Sequence, residues 1–269
     1  MPLRIVQSKQ NARLKELRHA FAHPGRSKHS RAGIEGPHLV AEALRAGLAI
    51  DCVFAAQENE DLLIGLGLPA ETEILLLPGS LLAASLDTET PQRLAALIDT
   101  PHWTWKHILA SPGRSAPLVL VLAGIQDPGN LGAILRSAEA FGACGVVCLA
   151  GTVSPWNPKA VRASAGSIFR LPVIFADADE SFRRLHDRGV TVWTTAARSA
   201  NEAARVDLAR PVAFIIGNEG SGVPNEIAAM AEGALTIPCP GPVESLNAAV
   251  AAGILLYEVS RQRALRSAQ

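Results

Sequence analysis

Apolar residues fall along this chain in short continuous runs, with amphipathic stretches between them. The runs at 118–123, 145–149, 171–175, 190–194, 212–216 and 234–237 have strand length and are almost wholly apolar. Strands covered on both faces of a parallel sheet read this way. Between them the apolar positions recur at helical spacing, which predicts helices at 131–141, near 158–167, and at 178–188, 224–231 and 246–263. Such alternation predicts an α/β domain with a parallel sheet.

The first hundred residues alternate on a smaller scale. A helix is predicted over 8–22, with Ser8 as its cap and Leu14, Leu17 and Phe21 on one face. A second opens at Gly36-Pro37 and closes at Gly47. A strand at 50–55, a helix at 58–66, a strand at 73–77, a helix at 79–86 and an extended piece from Pro91 to Ile98 complete a small α/β unit. Between 100 and 116 the period is lost among Pro101, Trp103, Trp105, Pro112 and Gly113. The chain therefore divides into a domain at 1–100, a linker at 101–116 and a domain at 117–269. The linker tryptophans suit packing on a domain, with base stacking as the alternative.

Three turns of the second domain share one character. Asp127-Pro-Gly-Asn-Leu-Gly132 follows the strand at 118–123, and Gly217-Asn-Glu-Gly-Ser-Gly222 follows the strand at 212–216. Ile237-Pro-Cys-Pro-Gly-Pro-Val-Glu-Ser-Leu-Asn247 follows the last strand. Each is a strand, a Gly/Pro turn carrying Asn, then a helix. Turns of this kind after parallel strands predict a ligand crevice at the carboxyl ends of the strands. In the third, Ser245 stands where a helix N-cap is expected, and Gly253 with its alanine neighbours suits close helix packing.

The chain has 269 residues, 48% hydrophobic and 19% charged, enough for a large buried core. Its net charge is zero but uneven. Residues 1–34 hold eight bases (Arg4, Lys9, Arg13, Lys15, Arg18, Arg26, Lys28, Arg31) against Glu16, leaving 17 bases and 24 acids elsewhere. A basic amino-terminal segment suits a polyanionic partner, and the loop from His23 to Arg31 is the best candidate for a mobile contact. Cys52, Cys144, Cys148 and Cys239 show no paired spacing, so core thiols in a reducing cytoplasm are expected, without disulfides or zinc. No run is long enough to span a bilayer and no signal peptide is evident.

Asn130, Arg136, Ala138 and Phe141-Gly142, then Ile216-Gly-Asn-Glu-Gly-Ser-Gly-Val223, then Ile237-Pro followed by Glu244-Ser-Leu-Asn247, resemble the three motifs of the SpoU/TrmH-type RNA 2′-O-ribose methyltransferases of the SPOUT superfamily. They stand in that family's order and spacing. Gln10-Asn-Ala-Arg-Leu-Lys15, Glu35-Gly-Pro-His-Leu39 and Thr88-Glu-Thr-Pro-Gln92 resemble its ribosomal-protein-L30e-like substrate domain. Cys239 departs from the family's frequent Met, which should alter packing at the pocket wall more than chemistry.

The resemblance implies an α/β domain with a carboxyl-terminal trefoil knot, a homodimer with its site near the subunit interface, and S-adenosylmethionine as methyl donor without a metal. It nominates Thr195, Ala196, Gly217, Ile237 and Leu246 for the cofactor, with Gly217 letting the cofactor approach the backbone. Asn130, Arg136, Asn218, Glu219, Ser245 and Asn247 are nominated for catalysis. Arg136 is expected to clamp phosphate and stabilise the developing alkoxide, with a base role open; Asn130 to cap its helix and also orient Arg136; Glu219 to orient Arg136 or Asn218. The implied acceptor is a ribose 2′-hydroxyl in structured RNA, 23S ribosomal RNA before transfer RNA. A non-catalytic RNA-binding protein is the alternative. A nicotinamide enzyme is disfavoured, because the first turn reads Gly124-Ile-Gln-Asp-Pro-Gly129 and not G-x-G-x-x-G.

Overall fold

The computed structural model describes residues 2–24, 31–86, 88, 90–110 and 116–267. These fall into two compact units, Met1–His102 with Trp156–Phe169, and Trp103–Pro155 with Arg170–Gln269. The stretch Trp156–Phe169 thus packs with the first unit although its sequence lies within 117–269.

The first unit carries β1 (Leu3–Ile5), α1 (Ala12–Ala22), β2 (Arg31–Glu35), α2 (Pro37–Arg45), β3 (Ile50–Ala56), β4 (Glu73–Leu77), α3 (Gly79–Ala83) and β5 (Leu94–Asp99). Its sheet has the order β1-β4-β3-β5-β2, parallel through β3 and antiparallel beyond it. Leu14, Leu17, Ala20 and Phe21 of α1 join Phe54, Leu75, Leu77 and Leu97 in one core. Helix α1 starts four residues later than expected. Asn11, not Ser8, is its cap, its Oδ1 accepting from the backbone N–H of Arg13 at 2.9 Å and Leu14 at 3.2 Å. The expected helix at 58–66 is instead a run of 3-10 turns over Gln57–Leu63, interrupted at Asn59. Strand β2 has no counterpart in the sequence reading. A Cβ on Gly33 would stand 2.5 Å from Phe21 Cε2, so this strand admits the ring only because that position lacks a side chain.

The second unit carries α4 (Trp105–Ile108), β6 (Leu118–Ala123), α5 (Pro128–Ala140) and β7 (Gly145–Cys148). After α6 (Pro158–Ala163), which belongs to the first unit, come β8 (Val173–Phe175), α7 (Ala178–His186), β9 (Thr191–Thr195), β10 (Asn201–Glu202), β11 (Val212–Gly217), α8 (Asn225–Ala228), β12 (Gly233–Thr236) and α9 (Ala248–Ser267). All seven strands are parallel, in the order β10-β12-β9-β11-β6-β7-β8. The chain builds outward from β6 through β7 and β8, then crosses to the other side and inserts β11 against β6. That reversal is a topological switch point, where parallel sheets bind ligands beyond their carboxyl ends. Val119, Val121, Val147, Ile174, Val192 and Ile215 face Phe182 and Leu185 of α7, with Trp103 and Trp105 packed on the same core. The linker tryptophans are therefore packing residues.

Helices α5 and α9 pack on each other. A Cβ on Gly253 would meet only Ser137 Oγ at 3.8 Å, so the close approach expected there does not depend on this glycine. Among the described residues no helix is long and apolar enough to cross a membrane. Glu35 is buried and accepts from Arg162 at 2.6 Å and from the Thr88 hydroxyl at 3.2 Å, which ties α6 into the first unit.

Candidate active site

Two strand ends meet at the switch point. At the end of β6, Gly124 takes φ +77°, and its carbonyl accepts from Asn218 Nδ2 at 2.8 Å at the end of β11. Asn218 then closes its own loop. Its N–H and carbonyl pair with Gly222, and its Oδ1 accepts from the N–H of Gly220 at 2.9 Å and Ser221 at 3.1 Å. A Cβ on Gly217 would stand 2.3 Å from Gly222 C and Val223 N. Glycine is required there by this tight loop, a reason the sequence reading did not contain.

The polar chain runs Asn247, Asn130, Glu219. Asn247 caps α9, its Oδ1 accepting from the N–H of Ala249 at 2.9 Å and Val250 at 3.3 Å. Ser245 is therefore not the cap; the helix begins beyond it. With Asn247 Oδ1 committed, its Nδ2 donates to Asn130 Oδ1 at 2.9 Å. That in turn fixes Asn130 Nδ2 as donor to Glu219 Oε1 at 2.9 Å. An amide has one accepting and one donating end, so the cap sets the direction of the whole chain. Asn130 does not cap α5. Asp127 does, accepting from the N–H of Gly129 and of Asn130. Partial burial raises the Glu219 carboxyl, but hydrogen bonds from Asn130, its own loop, Gln126 and Asp127 outweigh this and hold it below the ordinary carboxylate range.

A cleft of about 1050 Å³ opens beside this chain. Thr195, Ala196, Gly217, Ile237 and Leu246 all line it, with Asn218, Glu219 and Ser245. The Thr195 hydroxyl is spent on the Ile215 carbonyl at 2.9 Å, and Ala196 N–H on the Leu235 carbonyl at 2.9 Å. Ile216, Leu235 and Leu255 give it apolar wall, and Cys239 lies in the lining as expected. Asn130 and Asn247 are outside the lining; Asn130 bonds Glu219, and Asn247 stands between Leu246 and Ala248, which line it. Arg136 is not in the lining; it stands exposed on α5 and neither Asn130 nor Glu219 bonds it.

The amino-terminal bases are less available than their number suggests. Arg13 bonds Glu73 at 2.9 Å, Asp51 at 2.6 Å and Glu16 at 3.1 Å. Arg31 bonds Glu16 at 2.5 Å, Asp51 at 2.9 Å and Asp99 at 3.3 Å. Among the described residues Lys9 and Lys15 are exposed without such partners, and Arg18 reaches only backbone carbonyls of Leu14 and Lys9. Arg26 and Lys28, with the loop they occupy, lie outside the described residues.

The parallel α/β unit, its cleft lined by the turns after β9, β11 and β12 and not by the turn after β6, and the small α/β unit joined to it have the SPOUT methyltransferase architecture. Residues 117–257 match the SpoU rRNA methylase family, and residues 11–96 match the MRM3-like substrate binding domain. The chain belongs to the SpoU rRNA methylase family. It is 32% identical to the 23S rRNA (guanosine(2553)-2'-O)-methyltransferase RlmP of Bacillus subtilis over 96% of this chain and 99% of the relative. It is 39% identical to the 23S rRNA (guanosine-2'-O-)-methyltransferase RlmB of Xanthomonas campestris, over 57% of this chain and 61% of that protein. Among solved structures, the SpoU methyltransferase AviRb of Streptomyces viridochromogenes in complex with the cofactor AdoMet superposes with a TM-score of 0.85 at 27% identity, covering 95% of this chain and 99% of the other.

Proposed function

We propose that this protein transfers a methyl group from S-adenosylmethionine to a ribose 2′-hydroxyl of ribosomal RNA, 23S ribosomal RNA in particular. The observation that carries this reading is convergence. Residues from three turns far apart in sequence, after β9, β11 and β12, line one cleft, and Glu219 links that cleft to Asn130 and Asn247. The names of the relatives, 23S rRNA methyltransferases, support the substrate class.

The lining fits the cofactor. Its volume of about 1050 Å³ stands at the top of the roughly 300–1,000 Å³ of small-ligand sites. Ile216, Ile237, Leu235 and Leu246 suit an adenine ring. Among the described residues three carboxylates, Glu202, Glu219 and Glu244, line the cleft with one guanidinium, Arg198, a balance that favours a cationic sulfonium. When bound, the cofactor supplies an electrophilic methyl group. The chain's own residues do the rest. Asn130, held at both ends of its amide, keeps the acceptor side rigid. Ser245, exposed and without an intramolecular partner among the described residues, is available to hydrogen-bond the ribose. Arg136 binds an RNA phosphate and stabilises charge developing on the 2′-oxygen. A guanidinium is a poor base, so its part is electrostatic.

A homodimer completes the reading. Val250, Ile254 and Tyr257 recur at helical spacing on α9 and are 50%, 39% and 56% exposed. Tyr257 meets Phe141 edge-on, extending the apolar face to the end of α5. A second copy covering this stripe sets the interface beside the helix that carries Arg136. The return of α9 onto α5 after β12 supports a carboxyl-terminal trefoil knot. Buried free thiols at Cys52, Cys144 and Cys148 support a cytoplasmic location.

Calorimetry with S-adenosylmethionine, paired with mapping of 2′-O-methyl sites in ribosomal and transfer RNA from cells with and without the gene, tests the proposal. One ribosomal site lost with the gene is the expected result. A lost transfer-RNA site would move the substrate class, and no lost site with no cofactor binding would leave only an RNA-binding protein.

A further inference from the structure

Among the described residues Arg198 is the single cation of the cleft lining. Its side chain is exposed and makes no hydrogen bond or ion pair among the described residues. The residues on either side of it, by contrast, are pinned. The Ala197 carbonyl accepts from Thr236 Oγ1 at 3.0 Å, and Ser199 Oγ donates to the Ala234 carbonyl at 2.7 Å. Asn201 adds a bond from its Nδ2 to the same Ala234 carbonyl at 3.2 Å. The turn after β9 is thus stapled to β12 immediately before and after Arg198, which fixes where the side chain leaves the backbone while its guanidinium stays uncommitted.

The other charges of the lining differ in this respect. Glu202 is bonded to Arg205 at 2.9 Å, and Glu219 is engaged by Asn130 and backbone N–H groups. Glu244 alone among the acids has no partner among the described residues. One unspent cation and one unspent anion on the wall of a single cleft match a zwitterion. The proposed cofactor carries one: its amino-acid end bears an α-carboxylate and an α-ammonium. The carboxylate is the group that the acids of this lining repel, and Arg198 is the group that offsets them. A guanidinium is also the side chain best shaped to hold a carboxylate through two parallel bonds.

We infer that Arg198 is a cofactor-binding residue that holds the α-carboxylate of S-adenosylmethionine at the lip of the cleft. This rests on the function proposed above. It also assigns a consequence to the stapled turn: without the staple, ordering the side chain would take back part of what the contact contributes.

The experiment is calorimetry on full-length protein with two ligands that share the thioadenosine part. S-adenosylhomocysteine has the amino-acid end; 5′-methylthioadenosine lacks it. Arg198→Gln should weaken S-adenosylhomocysteine binding about tenfold, the size of one charge-assisted contact near solvent. It should leave 5′-methylthioadenosine binding unchanged, which also shows that the variant is folded. Equal loss for both ligands, or no loss for either, overturns the inference while leaving the function intact. A variant that keeps its S-adenosylhomocysteine affinity but binds RNA more weakly overturns it too, and gives Arg198 to RNA phosphate. Wild-type protein that binds neither S-adenosylmethionine nor S-adenosylhomocysteine overturns the proposed function, and the inference with it.

Discussion

Asn130 and Glu219 stand 89 positions apart in sequence and share a 2.9 Å hydrogen bond from amide to carboxylate. The bond joins the turn after β6 to the turn after β11, across the switch point of the sheet. Glu219 also accepts from the N–H of Gln126 at 3.3 Å and Asp127 at 3.2 Å, so one carboxylate holds the first turn along its length. Residues tied in this way act as a unit. Asn130→Ala and Glu219→Ala should each lower single-turnover methyl transfer strongly, and the double variant should be no slower than the worse single one. Independent, multiplying losses would show that the bond does not couple them.

The same carboxylate gives a pH signature. Its folded pKa lies below the ordinary value, so it adds stability above the unfolded pKa, and that contribution is lost as pH falls through the lower folded value. Thermal melts of the wild type and Glu219→Gln should therefore differ most near neutrality and converge under acid. The expected direction is a wild type that melts higher at neutral pH. A gap that stays constant down to strong acid would exclude Glu219 as its source.

The first unit is where charge counting misleads. Arg13 and Arg31 belong to an ion network with Glu16, Asp51, Glu73 and Asp99, and both guanidinium pKa values are raised by it against the opposing effect of burial. Replacing them with Ala should destabilise the unit more than it changes RNA affinity. Lys9 and Lys15 are exposed and unpaired among the described residues, so Lys9→Glu with Lys15→Glu should weaken RNA binding and flatten its dependence on salt, because fewer counterions are released. Filter binding over a salt series checks this. An unaltered slope would mean that RNA is held elsewhere.

What the sequence revealed and what it hid have physical reasons. Six of the seven strands of the second sheet announce themselves as short apolar runs, most clearly β6 and β11, which are buried along their whole length, whereas β10 is only Asn201–Glu202 and carries no apolar signal. Of the turn residues, Asn218, Gly217 and Asn247 meet local backbone needs, whereas Asn130 is held by Glu219 and Asn247 from far along the chain. Strand β2 is hidden because only Ala32 and Ile34 mark it, and Gly33 serves Phe21 from a different element. The caps were misplaced because Ser8 and Ser245 have the right chemistry a few residues early, while Asn11 and Asn247 hold the position. The partners of Arg13 and Arg31, and the bond from Arg162 to Glu35, join segments that no local pattern connects.

The exposed stripe on α9 makes a prediction about assembly. Ile254→Glu with Tyr257→Glu places two charges where a second copy would bury apolar surface. Light scattering should show a monomer, against a dimer for the wild type. Cofactor affinity should fall less than methyl transfer, since Ile254 and Tyr257 do not line the cleft. A variant that remains a dimer would place the interface on another face.

Arg136 carries the sharpest prediction, because its surroundings separate folding from chemistry. It is exposed on α5, outside the cleft lining, and makes no bond to Asn130 or Glu219. Arg136→Ala should therefore leave the melting temperature and S-adenosylmethionine affinity nearly unchanged. Methyl transfer should fall by about a hundredfold or more, as when one oriented electrostatic group is lost. Arg136→Lys should rescue little, since an ammonium cannot make the planar two-bond contact to a phosphate. Two measurements then divide its roles. If Arg136 binds phosphate equally before and during transfer, the loss appears as weaker RNA binding. If it acts on the reacting oxygen, single-turnover transfer at saturating RNA collapses while RNA affinity holds. The exposed position leaves the guanidinium free to meet RNA from outside the chain. A near-normal single-turnover rate for the Ala variant would remove Arg136 from the mechanism altogether.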